Sequence, residues 1–287
     1  MSPLNPLDLL IEALPDISSH HVPGSRLYAV LRAMVLREVP PRFGPDHTGL
    51  GLLPPFGSLD FPYRRMGAIN SLDLFGLDEL ILFAFYWVNR KRYRRVADIG
   101  ANIGLHSIIL ARCGYQVRSY EPDPQHIESL RRNLDANKAE TVEIIQAAVS
   151  SEPGEHEFVR VLGNTTGSHL AGAKPNPYGE LERFAVRLSP ISPILEWADL
   201  VKIDAEGHER QILLATTAAD WRNTDAVLEV GSTENAAAIF THARTIGLRL
   251  FAQKLGWSEV VRVGDMPVSY RDGSLFLTIG EGMPWQA

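Results

Sequence analysis

The sequence predicts an α/β fold with a doubly wound, Rossmann-like parallel sheet, preceded by a helical and loop-rich N-terminal extension. The first observation is the segment 96–107, in which a buried strand enters a glycine turn and then a helix. The second is the alternation of apolar strands and helices up to residue 246, followed by β-rich segments that suit a terminal hairpin. The third is the density of prolines before residue 66, which prevents long regular elements there.

Length and composition set the domain organisation. A chain of 287 residues with 45% hydrophobic content can form one large α/β domain with an appended segment. We divide it into an N-terminal extension or cap, residues 1–66, and a main domain, residues 67–287. The loop-rich segment 44–65 either covers the cofactor edge of the sheet or packs on the back of the domain, and the sequence leaves both readings open.

Charge and hydropathy exclude several classes of partner. The net charge of −6 argues against nucleic acid, and the basic run 90–95 is explained as the solvated end of a helix. The longest apolar run, 80–88, is too short to span a membrane. A single cysteine, Cys113, cannot form an internal disulfide, and the first residues lack the pattern of a secretory signal. We therefore expect a cytoplasmic protein; a homo-oligomer is compatible with the sequence.

The glycine turn identifies the expected cofactor. Ligands of doubly wound sheets lie beyond the carboxyl ends of the strands. The turn reads G-x-x-x-G, whereas G-x-G-x-x-G brings the backbone against a pyrophosphate, so S-adenosylmethionine is favoured over a dinucleotide. S-adenosylmethionine needs a turn that passes close to it, polar groups for its amino group, a carboxylate for its ribose and a flat slot for its adenine. The predicted cofactor-binding residues are Asp98, Gly100, Asn102, Gly104, Glu121 and Ala147. The alternative is a ligand-free turn with a capping Asp98.

A second polar cluster follows the apolar strand that starts near residue 200. Lys202, Asp204, Glu206 and His208 recur at every second residue and would point to one side of an extended backbone. Asp204 and His208 are candidates for a catalytic base, and Lys202 would orient Asp204 or polarise the acceptor. Glu206 and Glu229 would help to bind the acceptor. The alternative is a structural Lys–Asp ion pair with a capping Glu and a solvent-facing His.

The polar loop 163–169 is either a lid that faces the acceptor or an ordinary surface loop. The predicted acceptor-binding residues are Asn164, Thr165, Ser168 and Glu229. Their hydrogen-bonding capacity favours a polyhydroxylated small-molecule or glycan acceptor, with Phe56, Phe61 and Tyr63 as a stacking face. A polyketide-like product is the alternative. Asp204 and Glu229 could share a hard cation with the acceptor hydroxyls, but because no clustered ligand spacing is present, no metal site is predicted.

Three stretches together resemble the FkbM family of S-adenosylmethionine-dependent methyltransferases. They are V-A-D-I-G-A-N-I-G at 96–104, Y-E-P at 120–122 and V-K-I-D-A-E-G-H-E at 201–209. The resemblance extends over roughly residues 77–280 and leaves the first 66 outside it. It implies a seven-stranded sheet with an antiparallel terminal strand, and O-methylation of hydroxyls on sugars or polyketide-type products.

Three classes of function follow from these observations. The leading one is an O-methyltransferase. A nicotinamide-dependent Rossmann oxidoreductase is disfavoured because the turn lacks the pyrophosphate glycine. A non-catalytic cofactor-binding protein would have no use for the polar cluster 202–208.

Overall fold

The computed structural model describes residues 5–174 and 179–285. The helices are α1 (Pro6–Ala13), α2 (Arg26–Glu38), α3 (Pro40–Phe43), α4 (Leu77–Val88), α5 (Leu105–Arg112), α6 (Pro124–Ala136), α7 (Ile191–Trp197), α8 (Glu209–Leu214) and α9 (Thr233–Ile246). The strands are β1 (Leu50–Leu52), β2 (Ser58–Asp60), β3 (Arg95–Ile99), β4 (Gln116–Tyr120), β5 (Val142–Ile145), β6 (Ala148–Ser150), β7 (Gly154–Val161), β8 (His169–Leu170), β9 (Leu181–Pro190), β10 (Leu200–Ile203), β11 (Asp225–Leu228), β12 (Arg249–Ala252), β13 (Ser258–Glu259) and β14 (Leu275–Thr278). Within the described ranges, no helix is both long and apolar enough to cross a membrane.

The main sheet has the order β13-β12-β14-β11-β10-β3-β4-β5. Strands β3, β4, β5, β10 and β11 are parallel, whereas β14 lies antiparallel between β11 and β12. The predicted doubly wound α/β fold with an antiparallel terminal strand is therefore confirmed. Over the described residues the sheet has eight strands instead of seven, because the two-residue strand β13 pairs with β12 at the edge. A strand that short has no hydrophobic period to detect.

Apolar clusters cover both faces of this sheet. Val96 belongs to one cluster and its neighbour Ala97 to the other, as expected for successive residues of a strand. Helices α4 to α6 supply the first cluster and helices α7 to α9 the second. The extension packs on the α4 side, where Leu10 and Leu31 are buried in the first cluster. At its contact with α4, the Tyr28 hydroxyl donates a 2.7 Å hydrogen bond to Asp78.

A second sheet, of order β6-β9-β7-β8 among the described residues, lies beside the carboxyl end of β5. The sequence predicts one strand over 142–148, but β5 ends at Ile145 and β6 begins at Ala148 in the second sheet. The Ala147 N–H donates to the Ile145 carbonyl at 2.9 Å, which turns the chain between the two sheets. The strands predicted near 155–162 and 183–188 exist as β7 and β9, and they pair in this second sheet.

A buried ion pair joins the second sheet to the main domain. Arg160 on β7 donates to both carboxylate oxygens of Asp123, at 2.7 and 2.6 Å. Asp123 caps α6 by accepting the Gln125 N–H at 2.8 Å. Bidentate pairing fixes both distance and orientation, so β7 is held against the loop that follows β4.

Candidate active site

The glycine turn between β3 and α5 lies against the end of β10. Gly100 has a φ of +76°, and a Cβ at that position would lie 1.9 Å from the Asp204 carbonyl oxygen. The N–H groups of Gly100 and Ala101 both donate to the Tyr120 carbonyl at 3.0 Å. The close approach of three strand ends therefore requires glycine at position 100.

Glu121 is fixed beside this turn by two backbone hydrogen bonds. Its carboxylate oxygens accept the N–H of Asn102 at 2.9 Å and the N–H of Asp123 at 2.8 Å. Each oxygen keeps a further lone pair for a ligand hydroxyl. Within the described residues, the Asn102 Oδ1 atom is buried without a hydrogen-bond partner. The turn thus presents acceptors suited to the hydroxyl and amino groups of S-adenosylmethionine.

A cavity of about 400 Å³ opens at the carboxyl ends of β3, β4, β10 and β11. This is the edge where doubly wound sheets bind ligands, and the volume is ordinary for a small-molecule site. Of the predicted cofactor-binding residues, the structure brings four to its wall, namely Gly100, Asn102, Glu121 and Ala147. Ala147 reaches the wall because the chain turns there between β5 and β6.

The other two predicted cofactor-binding residues lie behind the turn. Asp98 is fully buried; it accepts the Ser107 hydroxyl at 2.6 Å and lies 3.7 Å from the Lys202 Nζ atom. A Cβ at Gly104 would meet the Leu130 side chain, so this glycine serves the packing of α5 against α6. Both residues were expected to face the cofactor, but neither lines the cavity. The reason is that the inward-facing side chain of a central strand is covered by the following helix.

The sequence predicts that the polar cluster after β10 lies on one side of an extended chain, and this prediction is wrong. The strand ends at Ile203, and Glu206 and Gly207 have φ values of +50° and +101°. Lys202 and Asp204 stay together, with 3.2 Å between Nζ and Oδ2. Glu206 instead pairs with Lys174 at 2.6 Å. Left-handed backbone at a non-glycine residue is costly and concentrates at functional sites.

His208 and the buried Glu209 complete this turn. The His208 Nε2 atom lies 2.9 Å from the Ser150 hydroxyl of β6, so the imidazole is joined to the second sheet. Glu209 accepts the backbone N–H groups of Ala205 and Gly207, at 2.9 and 3.1 Å. The carboxylate of Glu209 thereby stabilises the turn, a role that the sequence alone did not predict.

The electrostatics of the cluster separate its members. Burial, together with the nearby Asp204 charge, raises the pKa of Glu206 to about 7, which the Lys174 contact only partly offsets. Burial lowers the pKa of His208 to about 4, so its ring is neutral at pH 7. Burial and the Asp204 charge raise the pKa of Glu229 well above its usual value, which favours the protonated form of this carboxyl. Burial disfavours the Lys202 charge, but Asp204 and Asp98 outweigh it and raise the Lys202 pKa.

The predicted lid is ordered and attached to the end of the extension. Gly67 pairs with Asn164 in an antiparallel bridge, and the Ala68 N–H donates to the Gly163 carbonyl at 2.7 Å. Thr165 and Ser168 line the cavity, whereas Asn164 takes part in the bridge, accepting the Thr166 hydroxyl at 2.8 Å. The lid and residues 66–70 therefore form the cavity mouth together.

The aromatic side chains of the extension do not form the predicted stacking face. Phe56 packs edge-to-face on Phe83, and Phe61 packs in the same way on Phe75. Both are buried, because the extension uses its aromatics to cover the α4 face of the core. Within the described residues, the cavity wall instead contains Ile69, Asp73 and Leu74, which follow the extension in the chain.

The cavity residues that the sequence did not predict include Glu79, His126 and Tyr270. Glu79 lies in the first turn of α4, where the helix dipole alone favours an acidic residue. His126 lies on α6, where its Nδ1 atom is 3.5 Å from Glu121. The hydrophobic periodicity of α6 does not indicate that this histidine faces a cavity. Tyr270 comes from the irregular segment before β14, where no local pattern indicates its position. Among the residues that the structure describes, no group of His, Cys, Asp and Glu is arranged to hold a metal ion.

The fold and the cavity at its strand ends are those of an α/β domain that binds a small ligand. The methyltransferase FkbM domain matches residues 98–247, slightly more than half of the chain. The chain therefore belongs to the FkbM methyltransferase family. The matched region contains the glycine turn, Glu121, the lid and the cluster after β10.

Two curated relatives are similar to this chain. The 31-O-demethyl-FK506 methyltransferase FkbM of Streptomyces tacrolimicus is 29% identical over 174 residues, which cover 49% of this chain and 66% of the relative. Methyltransferase sdnD of Sordaria araneosa is 29% identical over 159 residues, covering 44% and 61%. The chain thus spans less than two thirds of either relative. Among solved structures, the O-methyltransferase from Bacillus cereus in complex with SAH aligns at a TM-score of 0.37 and 13% identity, over 69% of this chain and 80% of that one.

Proposed function

We propose that this chain is an S-adenosylmethionine-dependent O-methyltransferase that acts on a hydroxyl of a polyhydroxylated acceptor. The observation that carries the proposal is the placement of Glu206, a carboxylate with a pKa of about 7, in the same cavity as the glycine turn and Glu121. A hydroxyl must lose its proton as it is methylated, and a base is most effective when its pKa lies near the working pH.

The cofactor half of the cavity is assigned from its acceptors. Glu121 would bind the ribose hydroxyls through the lone pairs that its two backbone contacts leave open. Asn102, whose Oδ1 atom is buried without a partner in the described residues, would accept a further donor of the cofactor. Pro122 and Ala147 offer small apolar surfaces for adenine. When bound, S-adenosylmethionine supplies the electrophilic methyl group for an in-line displacement by the acceptor oxygen.

The chain's own residues would orient the acceptor and remove its proton. Glu206 is the preferred base, and Lys202 holds Asp204 beside it through the 3.2 Å contact. His208 is a weaker candidate than predicted, because its lowered pKa makes it a poor proton acceptor. In the protonated form that its raised pKa favours, Glu229 can both donate a hydrogen bond to an acceptor hydroxyl and accept one from it.

The polarity of the mouth supports an acceptor with several hydroxyls. The cavity is lined by Thr165 and Thr166 of the lid, by Asp73 of the 3₁₀ turn before α4, and by Glu206. A purely apolar acceptor would bury such groups without partners, at about 1 to 3 kcal/mol each. A sugar or glycosylated metabolite satisfies them.

A hydroxyl on a polyketide-like product is the second candidate, and a specific observation favours it. Ile69 and Leu74 give the cavity wall an apolar side, which the sequence-based argument for a sugar did not include. The Streptomyces relative is named for methylation of 31-O-demethyl-FK506. An elongated acceptor could place its apolar part on these residues and its hydroxyl beside Glu206.

An acceptor screen tests the proposal. Purified protein is incubated with S-adenosylmethionine and matched sets of free sugars, glycosides and hydrophobic alcohols, and release of S-adenosylhomocysteine is measured. We expect turnover with sugars or glycosides, and none for the Asp204→Asn variant, because Lys202 would lose the closer of its two carboxylate partners, the one that lines the cavity. Turnover confined to hydrophobic alcohols would replace the sugar assignment with the second candidate. Hydride transfer with NAD, and no methyl transfer, would overturn the methyltransferase assignment.

A further inference from the structure

Glu79 enters the cavity from α4, a helix that precedes the matched family region. Its side chain keeps 27% of its surface exposed, and it also lines a small neighbouring pocket with Lys202 and Glu229. A favourable interaction with the helix dipole explains an acidic residue in this turn, but it does not require a carboxylate in the cavity wall.

A buried hydrogen-bond chain holds Glu79 in place. Its Oε2 atom lies 2.7 Å from His106 Nε2, and His106 Nδ1 lies 3.1 Å from the Tyr86 hydroxyl. Burial, with nearby Asp98 and Glu79, raises the pKa of Tyr86 well above its usual value, so the hydroxyl keeps its proton and donates to Nδ1. A carboxylate oxygen can only accept, so the His106 Nε2–H donates to Glu79.

The carboxylate of Glu79 is charged and has room for a cation. Burial raises its pKa, but His106 and then Lys202 outweigh burial and lower it overall. The Lys202 ammonium lies at ion-pair distance from Asp204 and Asp98. Across the described residues, Glu79 has no ion pair with a lysine or arginine, and its contact is His106.

Two of the cavity carboxylates, Glu79 and Glu121, flank the glycine turn. Glu121 is bonded to Asn102 inside the turn, and Glu79 is bonded to His106 in the first turn of α5. S-adenosylmethionine has a ribose diol in its nucleoside half and an ammonium group in its amino-acid half. The Glu79 carboxylate accepts from His106 and keeps further lone pairs for the ammonium, whereas Asp98, which the sequence suggested, is fully buried and accepts the Ser107 hydroxyl.

We propose that Glu79 binds the ammonium group of the cofactor's methionine moiety and that His106 is the positioning residue that orients it. This inference rests on the proposed function, because it assumes that the cavity holds S-adenosylmethionine. It assigns the amino-acid end of the cofactor to α4, outside the matched domain.

The test compares two ligands that differ in the amino-acid portion. S-adenosylhomocysteine carries the ammonium group, and 5′-methylthioadenosine lacks the whole amino-acid part. Calorimetry on Glu79→Gln should show S-adenosylhomocysteine bound about tenfold or more weakly than by wild type, because a charge-assisted hydrogen bond is lost. Its affinity for 5′-methylthioadenosine should stay within about twofold. Glu128→Gln, on α6 with its carboxylate exposed, is the matched control and should change neither affinity.

His106→Gln should show the same ligand-selective loss at smaller size, and it keeps the test valid if Glu79→Gln does not fold. Equal losses for both ligands in both variants, or unchanged binding of S-adenosylhomocysteine, would overturn the assignment of Glu79 while leaving the proposed function intact. Wild-type protein that binds neither ligand would overturn the proposed function and this inference with it.

Discussion

Replacement of Gly100 by alanine should abolish cofactor binding. The added Cβ would lie 1.9 Å from the Asp204 carbonyl oxygen, and the φ of +76° costs an alanine a further ~1 to 2 kcal/mol. The turn and the loop after β10 would have to separate, which displaces Asn102 and Glu206 together. Calorimetry with S-adenosylhomocysteine should show a Kd at least about 100-fold weaker, or a chain that no longer folds.

The matched control is Gly114→Ala. Gly114 has a φ of +88°, but no atom lies within 4 Å of the position of its Cβ. It tests the cost of the left-handed backbone without the clash, and we expect affinity within about threefold of wild type. A Gly100→Ala variant that folds normally and binds S-adenosylhomocysteine like this control would contradict the described packing of the turn.

The second large effect is expected for Glu206→Gln. General base catalysis contributes about 10² to 10⁴ in rate, so kcat with a verified acceptor should fall at least about 100-fold. The wild-type rate should rise about tenfold per pH unit below 7 and level off above it, because the base acts in its ionised form. The variant should lack this dependence. Glu157→Gln is the control, since Glu157 also pairs with a cation at 2.6 Å but lies at the exposed surface.

The same shift predicts a pH dependence of stability that needs no acceptor. Because the pKa of Glu206 is raised from 4.5 to about 7 in the folded chain, the folded state holds this proton more tightly than the unfolded state. Glu206 therefore costs stability as the pH rises from about 4.5 through 7. Thermal unfolding of wild type and Glu206→Gln across this range should converge at low pH and diverge at high pH. Parallel curves, with an unchanged pH–rate profile, would remove Glu206 from the role of base.

Local chemistry explains which parts of the site the sequence predicts. The glycine turn and Glu121 are separated by one strand–helix–strand unit, so the parallel sheet brings them together at a fixed register. The Ser25 hydroxyl oxygen accepts the Tyr28 N–H at 3.1 Å and caps α2. This cap is likewise predictable from the sequence, because the capping pattern is complete within four residues.

The features that the sequence did not predict depend on contacts between distant segments. The pairing of Gly67 with Asn164 and the contact of His208 with Ser150 join segments whose register no local period specifies. The reversal at Glu206 depends on Glu209, which accepts N–H groups from the turn, so an extended-strand rule fails there. Phe56 was expected to offer a stacking face to the acceptor; it is buried instead, because it packs on Phe83 and Trp87 of α4, which are distant in sequence. The boundary between residues 66 and 67 stays a prediction.

The most direct test of the central claim is isothermal calorimetry of the wild-type chain with S-adenosylhomocysteine and, separately, with NAD. The account predicts binding of S-adenosylhomocysteine with a Kd in the low micromolar range or tighter, about −8 kcal/mol, and a clear loss for Glu121→Ala. Glu121 is the carboxylate that the turn holds at the cavity wall, so its removal should weaken the ribose contact. Binding of NAD with no heat from S-adenosylhomocysteine would contradict the account.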